Sequence, residues 1–310
     1  MATHEEAFPD PRSVTLKNGH YTAQIYTRGA SIKQLEYQGR PLVDTYPDGA
    51  EPPLSAGVVL APWPNRTEDG SFTFGGTTYQ LELTEPDRRN AIHGFAITAT
   101  WEVTEQSDTH ATLEYRITPR AGWPWTIDLR AEFSLDDNGL RATYTAAAEE
   151  ECPFGFGVHT YLNAHGAEID ECTMTVPVDT ALPLDSTRNL PAGPEHPAQQ
   201  DVPGIATGAK LGQVQLDHCF HATAPAAGAQ RITRLRNASG AGVEMLTSEN
   251  LSWFQIFTAD PRWECAYPGR GRALAIEPMS CPPNALRSGE DVTTLTPGQP
   301  VVYTLQLRAC

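Results

Sequence analysis

Strict alternation of apolar and polar residues is the clearest pattern along the chain. In residues 125–135 every second side chain is apolar, and the side chains between them are Thr126, Asp128, Arg130, Glu132 and Ser134. A period of two places successive side chains on opposite faces of a strand. The same alternation occurs in residues 111–118 and 301–308. The pattern therefore predicts strands that are buried on one face only.

Turn sequences separate several of the alternating segments. Gly75-Gly76 lies between two short strand-like runs, Asp136-Asp137-Asn138-Gly139 follows the strand predicted at 125–135, and Asn237-Ala238-Ser239-Gly240 forms a third turn. Glycine and asparagine tolerate the positive φ angles of tight hairpin turns. The sequence therefore predicts antiparallel pairing of neighbouring strands.

Two segments depart from the strand pattern. Residues 146–151 are rich in alanine and glutamate, which is compatible with a short helix or with the end of a strand. Residues 183–212 are rich in proline, glycine and alanine, and we predict one long surface loop that could form a wall of a site. Similar strands lie on both sides of this loop. We therefore predict one domain over residues 1–310, with residues 1–12 as a flexible tail.

Composition narrows the fold and the class of partner. The chain has 310 residues, of which 25 are glycine and 26 are proline, and such frequent breakers favour many short elements over long helices. Its 38 acidic and 22 basic side chains give a formal net charge of -16. Nucleic-acid binding needs clustered lysine and arginine, so no nucleic-acid partner is expected. The sequence alone predicts no oligomeric state.

The sequence also indicates no membrane partner. No apolar run approaches the roughly 18 residues that a membrane-spanning helix needs. The first residues carry Glu5, Glu6 and Asp10 in place of the basic and apolar regions of a secretory signal. The six cysteines show neither C-x-x-C nor zinc-finger spacing. We therefore expect a cytoplasmic protein with free thiols.

One arginine and two histidines lie in unusual local sequences. Arg66 follows Pro62-Trp63-Pro64-Asn65, a stiff turn from which its forked guanidinium could hold sugar or carboxylate oxygens. His93 precedes Gly94, which permits the close approach of another group. His159 follows Gly155-Phe156-Gly157-Val158. A single histidine of this kind is usually structural, but two in similar glycine-flanked contexts favour a site.

Two carboxylates complete the candidate set. Asp217 could accept hydrogen bonds from ligand hydroxyls, or it could cap a turn. Glu277 follows an apolar run and precedes Pro278. A carboxylate at the inner end of a strand tends towards a raised pKa, which suits a general base at neutral pH. The structural alternative is a buried ion pair between Glu277 and Arg272.

Five short motifs occur in an order that resembles the aldose 1-epimerases, also called mutarotases. The motifs are Asn65-Arg66, Ile92-His93-Gly94-Phe95, Gly157-Val158-His159-Thr160-Tyr161, Leu216-Asp217-His218 and Ile276-Glu277-Pro278-Met279. The resemblance covers the chain from about residue 19 to residue 308, and residues 275–289 resemble a bacterial branch of the family. It implies an all-β fold, a large antiparallel β-supersandwich of the galactose mutarotase type, with no metal and no organic cofactor.

The resemblance also implies a role for each candidate residue. Glu277 would be the general base and His159 the general acid, with His93 assisting near the ring oxygen of a sugar. Arg66 and Asp217 would bind sugar hydroxyls.

Three further expectations concern the surroundings of these groups. The resemblance implies that Asn65 orients Arg66. Thr160 departs from the family pattern, because many relatives of this branch have proline after the catalytic histidine. Trp63 and Trp125 are candidates to line the pocket, since sugars present C–H faces to aromatic rings.

This set suits interconversion of the α and β anomers of a hexose, so a monosaccharide is the expected partner. Ring opening requires a proton to leave the C1 hydroxyl while another reaches the ring oxygen, which a carboxylate and an imidazolium can do together. A phosphorylated or sulfonated hexose would need extra cations, for which Arg88, Arg89 and Arg270 are candidates.

Three other functions stay open at the level of sequence. The first is a carbohydrate-binding or sensing protein without catalysis. The second is a metal site made by His93, His159 and a carboxylate. The third is a glycosidase with two carboxylates, although no second acid is placed as well as Glu277.

Overall fold

The computed structural model describes residues 11–222 and 230–310, in which β-strands are the main regular element and turns and loops join them. The first strands are β1 (Ser13–Asn18), β2 (Tyr21–Tyr26), β3 (Ser31–Tyr37), β4 (Arg40–Pro41), β5 (Val59–Leu60), β6 (Arg66–Glu68), β7 (Ser71–Phe74), β8 (Thr77–Gln80), β9 (Asn90–Ile92), β10 (Glu102–Gln106), β11 (His110–Ile117), β12 (Ile127–Asp136), β13 (Gly139–Ala148) and β14 (Cys152–Phe154). The later strands are β15 (Gly157–Val158), β16 (Thr160–Leu162), β17 (Thr173–Thr175), β18 (Thr180–Leu182), β19 (His196–Pro197), β20 (Ala209–Lys210), β21 (Asp217–His221), β22 (Arg231–Arg236), β23 (Gly242–Thr247), β24 (Trp253–Ala259), β25 (Ala273–Met279), β26 (Thr293–Leu295) and β27 (Val301–Ala309).

Helices are short throughout the described residues. The α-helix α1 spans Ala285–Ser288, and single 3-10 turns occupy Pro53–Ser55, Pro86–Arg88, Ala96–Thr98, Ile169–Glu171, Ala198–Gln200 and Pro261–Trp263. None of the helices in residues 11–222 and 230–310 is long and apolar enough to cross a membrane.

Two large sheets contain most of the strands. The nine-stranded sheet has the order β10-β11-β12-β13-β27-β23-β22-β17-β20. The eight-stranded sheet has the order β19-β18-β21-β24-β25-β15-β5, with β16 also paired to β25. A four-stranded sheet, β1-β2-β3-β4, and the pairs β14-β26, β6-β9 and β7-β8 complete the described part of the chain. Neighbouring strands pair antiparallel, as in β12-β13 and β24-β25, which confirms the predicted all-β antiparallel fold.

The core lies between the two large sheets. Along β12 the side chains of Leu129, Ala131 and Phe133 are buried while Asp128 is exposed, so the predicted alternation is confirmed. The largest buried cluster contains Phe133 of the nine-stranded sheet together with Phe254 of the eight-stranded sheet. Each sheet therefore contributes its apolar face to the same interior.

The predicted turns are confirmed. Gly75 and Gly76 join β7 to β8 with φ angles of 56° and 78°, as a primed hairpin turn requires. Asp136 pairs with Gly139 at the end of the β12-β13 hairpin. The third turn joins β22 to β23, and Gly240 there has a φ of 87°.

The two ambiguous segments are now defined. Residues 146–148 end β13, so the strand alternative was correct for them. Residues 183–212 are mostly turn and loop, as predicted, and they also contain the two-residue strands β19 and β20 and a 3-10 turn. Ala198, Val202 and Ile205 are buried in the core, and this burial holds the segment against the domain.

The predicted tail, residues 1–12, lies outside the described residues except for its last two. Arg12, the last residue of that segment, exchanges two hydrogen bonds with Thr27. The six cysteines are free, as predicted, and Cys152, Cys172, Cys219 and Cys281 are buried.

We expect the two faces of β27 to differ strongly in their contribution to stability. Leu305 is fully buried and Val302 is 45% exposed on the same strand. Leu305→Ala leaves a cavity in the core and should lower the free energy of unfolding by about 2–5 kcal/mol. Val302→Ala should change it by less than about 0.5 kcal/mol. Urea denaturation of both variants measures this, and equal losses would contradict the assigned core.

Candidate active site

Four neighbouring strands of the eight-stranded sheet bring polar side chains to one place. His159 lies between β15 and β16, and Glu277 lies in β25, which pairs with both of these strands. Gln255 in β24 is directly opposite Glu277, and Asp217 begins β21, the next strand. Residues far apart in sequence therefore become neighbours because their strands are adjacent.

The β6-β9 pair brings the remaining candidates from the other side. Arg66 begins β6 opposite Ile92, and His93 follows at the end of β9. Gly94 has a φ of 71°, and a Cβ atom there would lie 2.2 Å from the carbonyl oxygen of Ala61. Only glycine fits so close to that carbonyl, which explains why a glycine follows His93.

His159 and Glu277 are in direct contact. Nε2 of His159 lies 3.2 Å from Oε1 of Glu277, and the side chains are only 8% and 3% exposed. The ring of His93 meets the ring of His159 edge to face at 5.7 Å. Tyr161 stacks on the other side of His159, with ring centroids 5.4 Å apart. The structure therefore brings together the two histidines and the carboxylate that the sequence predicted.

Burial shifts the pKa values of all three groups towards their uncharged forms. Burial raises the pKa of Glu277 well above its usual value, the charge of Asp217 raises it further, and Arg66 lowers it. Burial lowers the pKa of His159 to about 4. The pKa of His93 is also well below its usual value, because of burial and of the neighbouring His159 and Arg66. The expected rise in the pKa of Glu277 is confirmed in direction.

A backbone hydrogen bond determines the tautomer of His93. The backbone N–H of Asn65 donates to Nδ1 of His93 at 3.2 Å. Because a backbone N–H can only donate, Nδ1 carries no proton and Nε2 carries the proton of the neutral ring. His93 therefore has an N–H donor at Nε2, and its ring lies against that of His159.

The same three side chains have the spacing of a metal site. One ligand atom from each of His93, His159 and Glu277 lies within 4.8 Å of the others. A histidine that binds a metal usually donates its second ring N–H to a neighbouring acceptor. His93 does the reverse, because its Nδ1 accepts and its Nε2 is protonated. The donor set therefore suits proton transfer better than metal binding.

Arg66 is held by an acid that the sequence analysis missed. Its Nε and Nη2 donate to the two carboxylate oxygens of Glu85, both at 2.9 Å. Asn65 was expected to orient Arg66, but its Oδ1 accepts from the backbone N–H of Arg66 and not from the guanidinium. Nothing in Thr84-Glu85-Pro86 distinguishes Glu85 from any acid in a turn, so only the fold reveals the pair.

Two amides hold Asp217, and the sequence analysis missed both. Nε2 of Gln255 donates to Oδ1 of Asp217 at 2.6 Å, and Nδ2 of Asn189 donates to Oδ2. Gln255 is buried, and its position opposite Glu277 could be inferred only from the strand register. Asp217 thus faces the site as a fully oriented acceptor and does not cap a turn.

A cleft of about 1000 Å³ opens next to these groups. Arg66, Asp217 and Asn189 line it, and residues 182–186 form one side, so part of the segment 183–212 is a wall of the site as predicted. His159 and Glu277 are not among the residues that line the cleft, but Glu277 is within electrostatic reach of both Arg66 and Asp217. Arg66 and Asp217 therefore connect the cleft to the buried pair of His159 and Glu277.

The expected aromatic lining was wrong. Trp63 and Trp125 are buried in a cluster around Trp123, away from the cleft. Phe257 and Trp263 line the cleft, and Trp263 is 41% exposed. The alternation that starts at Trp125 already placed its ring on the buried face, which was the signal available in the sequence.

The other arginines considered at the level of sequence have different partners. Of the three candidates for an anionic substituent, only Arg88 lines the cleft. Arg89 pairs with Asp69, and Arg270 pairs with Asp44 at another cavity. Arg272 pairs with Asp170 and Asp260, which excludes the ion pair between Arg272 and Glu277.

Two sequence relatives illustrate what the chain is similar to. The chain is 31% identical over 292 residues to the uncharacterized protein YihR of Escherichia coli K12, covering 93% of this chain and 90% of YihR. It is 29% identical over 173 residues to the galactose mutarotase of Mus musculus, covering 53% of this chain and 49% of the mouse protein. The match thus spans about half the length of the mouse enzyme.

Solved structures agree in fold. The GalM/aldose epimerase homologue from C. elegans superposes with a TM-score of 0.82 at 18% identity, covering 97% of this chain and 99% of the other. The galactose 1-epimerase from Lactobacillus acidophilus NCFM gives a TM-score of 0.78 at 16% identity, covering 98% and 99%. The sequence profile of the aldose 1-epimerase family matches residues 12–308. The chain therefore belongs to the aldose 1-epimerase family, an enzyme family of the isomerase class.

Proposed function

We propose that this protein is a mutarotase that interconverts the α and β anomers of an uncharged hexose, with residues 1–310 acting as one domain. The observation that carries the proposal is the buried contact between His159 and Glu277 at 3.2 Å, next to Arg66 and Asp217. It combines an acid and a base with oriented groups for sugar hydroxyls. The free thiols suit a reducing cytoplasm.

The pair of His159 and Glu277 holds the proton that the reaction needs. Burial favours a protonated Glu277 beside a neutral His159. A carboxylate beside an imidazolium has the same number of protons, and one transfer across their 3.2 Å contact converts the first state to the second. The charge of Arg66 favours the carboxylate form of Glu277. The site can therefore supply a base and an acid together without a proton from solvent.

In the proposed reaction, Glu277 takes the proton of the C1 hydroxyl. The bond between C1 and the ring oxygen breaks, its electron pair goes to that oxygen, and the oxygen takes a proton from His159. After rotation about C1–C2, the hydroxyl oxygen attacks the other face of the aldehyde and the two protons return. The N–H at Nε2 of His93 is a donor for the developing charge on oxygen. Arg66 and Asp217 hold the sugar hydroxyls during ring opening.

The charge of the cleft supports an uncharged substrate. Five carboxylates line it, from Glu85, Asp87, Asp185, Asp201 and Asp217, against the two guanidiniums of Arg66 and Arg88. Arg66 makes two hydrogen bonds to Glu85, and Arg88 lies 3.8 Å from the same carboxylate. An anionic sugar would enter against this field and against the net charge of -16.

We expect Glu277→Gln to lower the rate of anomer exchange by about 100- to 10,000-fold, because the base is lost. Polarimetry of freshly dissolved α-D-glucose and α-D-galactose measures the rate above that of solvent. Glu290→Gln makes the same chemical change at an exposed carboxylate that does not line the cleft, so as a control its rate should be unchanged. Saturable sugar binding by the unaltered protein without faster exchange would instead support a binding protein.

The rate should depend on pH through the number of protons on the pair. Below about pH 4 His159 becomes protonated while Glu277 keeps its proton. The pair then holds two protons and no base remains, so kcat/KM should fall about tenfold per pH unit. Above this pH kcat/KM should stay constant past neutrality. The raised pKa of Glu277 keeps one proton on the pair, and this is the proton that His159 donates in the reaction. An acidic limb centred near pH 6 to 7, measured after subtraction of the solvent rate, would contradict this assignment.

We expect uncharged hexoses to exceed hexose 6-phosphates and 6-sulfonates in kcat/KM by about 10-fold or more at low salt, as electrostatic repulsion in the cleft would give. The difference should shrink as salt is raised, because exposed charges are screened. NMR exchange spectroscopy can follow each sugar at equilibrium. A preference for the sulfonated sugar that is lost in Arg88→Ala would overturn the assignment of substrate class.

A further inference from the structure

A closed circuit of hydrogen bonds links four residues that line the cleft, Arg66, Glu85, Asn189 and Asp217. On one side, Arg66 donates to both oxygens of Glu85 at 2.9 Å. Nδ2 of Asn90 donates to Glu85 at 2.9 Å and to the backbone carbonyl of Arg188 at 3.0 Å. This side of the circuit therefore links Arg66 to the wall segment that contains Arg188.

The circuit returns to Arg66 on the other side of the cleft. Asn189, the residue after Arg188, donates to Asp217, and Gln255 donates to the other oxygen of Asp217 at 2.6 Å. Nδ2 of Asn65 donates to Gln255 at 3.3 Å, and Oδ1 of Asn65 accepts from the backbone N–H of Arg66 at 2.9 Å. The two proposed sugar-binding groups are therefore held in one network.

The segment from Leu184 to Pro191 is a compact loop that can be placed as a unit. Leu184 and Pro191 form a β-bridge at its base. The side chain of Asp185 accepts hydrogen bonds from the backbone N–H groups of Thr187, Arg188 and Leu190 within the loop. These bonds fix the loop internally, but they do not attach it to the rest of the cleft.

The side chain of Arg188 attaches this loop to the opposite turn. Its Nε donates to the carbonyl of Arg88 at 2.9 Å, and its Nη2 donates to the carbonyl of Arg89 at 2.8 Å. Nη2 also donates to Oδ1 of Asn90 at 3.2 Å and to Asp69 at 3.0 Å. One guanidinium thus joins the loop to residues 88–90, of which Asn90 holds the Glu85 carboxylate that binds Arg66.

We propose that Arg188 is a positioning residue that sets the distance between Arg66 and Asp217 across the cleft. It acts by docking the 184–191 loop, which places Asn189 against Asp217 and the carbonyl of Arg188 against Asn90. This inference rests on the proposed sugar-binding roles of Arg66 and Asp217. His159 and Glu277 are outside the circuit, so loss of Arg188 weakens binding of the sugar more than it slows proton transfer.

The test compares Arg188→Ala with Asn189→Ala and with the double variant in anomer exchange. Arg188→Ala should raise KM by about 10-fold or more, as loss of hydrogen bonds from a charged donor would give, with kcat changed less than about 3-fold. Asn189→Ala should raise KM by a smaller factor. The double variant should match Arg188→Ala, because without Arg188 the loop no longer holds Asn189 at Asp217.

Arg287→Ala is the matched control. Arg287 lies 3.3 Å from Glu68 and 4.0 Å from Asp69, the same acidic pair that Arg188 reaches, but within residues 11–222 and 230–310 it forms no hydrogen bond or ion pair with the 184–191 loop. The Arg287→Ala variant should lose ion pairs to the same two acids and keep an unchanged KM. Equal changes of KM in Arg188→Ala and Arg287→Ala would overturn the proposal, as would a fall in kcat at unchanged KM.

Two further measurements separate the possible failures. If Arg188→Ala loses its cooperative thermal transition, the KM of Asn189→Ala becomes the test, because Arg188 still docks the loop in that variant. An unchanged KM in Asn189→Ala would then overturn the proposal. If the unaltered protein binds a hexose without exchanging its anomers, the proposed reaction fails, and the Kd for that hexose replaces KM in the same comparison. Normal activity with an unchanged KM in both variants would reject the role of Arg188 alone.

Discussion

The site depends most on the burial of an acid and a base, Glu277 and His159, which are in contact inside a β-sheet core. Placing an ionised carboxylate or imidazolium in such surroundings is unfavourable. Burial lowers the pKa of His159 and raises that of Glu277, which favours a pair with no net charge across their 3.2 Å contact. Because of these two shifts the pair holds one proton, which can move between the two side chains.

The rest of the site follows from keeping this pair in place while leaving room for a ligand. Glu277 occupies the middle of β25, where strands on both sides fix the backbone. The groups that would touch a sugar are instead at strand starts and in turns, where their orientation depends on side-chain partners. Arg66 relies on Glu85, and Asp217 relies on Gln255 and Asn189. Rigidity therefore comes from the backbone at the core of the site and from hydrogen bonds at its mouth.

The sequence predicted the fold and the central residues because their signals are local. Alternation along β12 and glycine turns such as Gly75-Gly76 report backbone geometry directly, and the histidine and glutamate motifs occur in a family order. Glu85, Asn189 and Gln255 were missed because their role exists only after distant strands and loops meet. Trp63 and Trp125 were misplaced because an aromatic residue suits a core and a sugar pocket equally well. Periodicity favoured the core for Trp125, and the chemical analogy wrongly outweighed it.

The net charge of -16 and a sugar site are compatible for a physical reason. A neutral hexose carries no net charge, so the field of the whole protein neither attracts nor repels it. Carboxylates are strong acceptors for hydroxyl groups, and they serve this purpose only when their orientation is fixed. In the cleft, Glu85 is tied to Arg66, Asp185 to backbone N–H groups and Asp217 to two amides. These three carboxylates are thus oriented acceptors and anchors of the cleft walls, an arrangement that is compatible with the proposed uncharged sugar in an acidic protein.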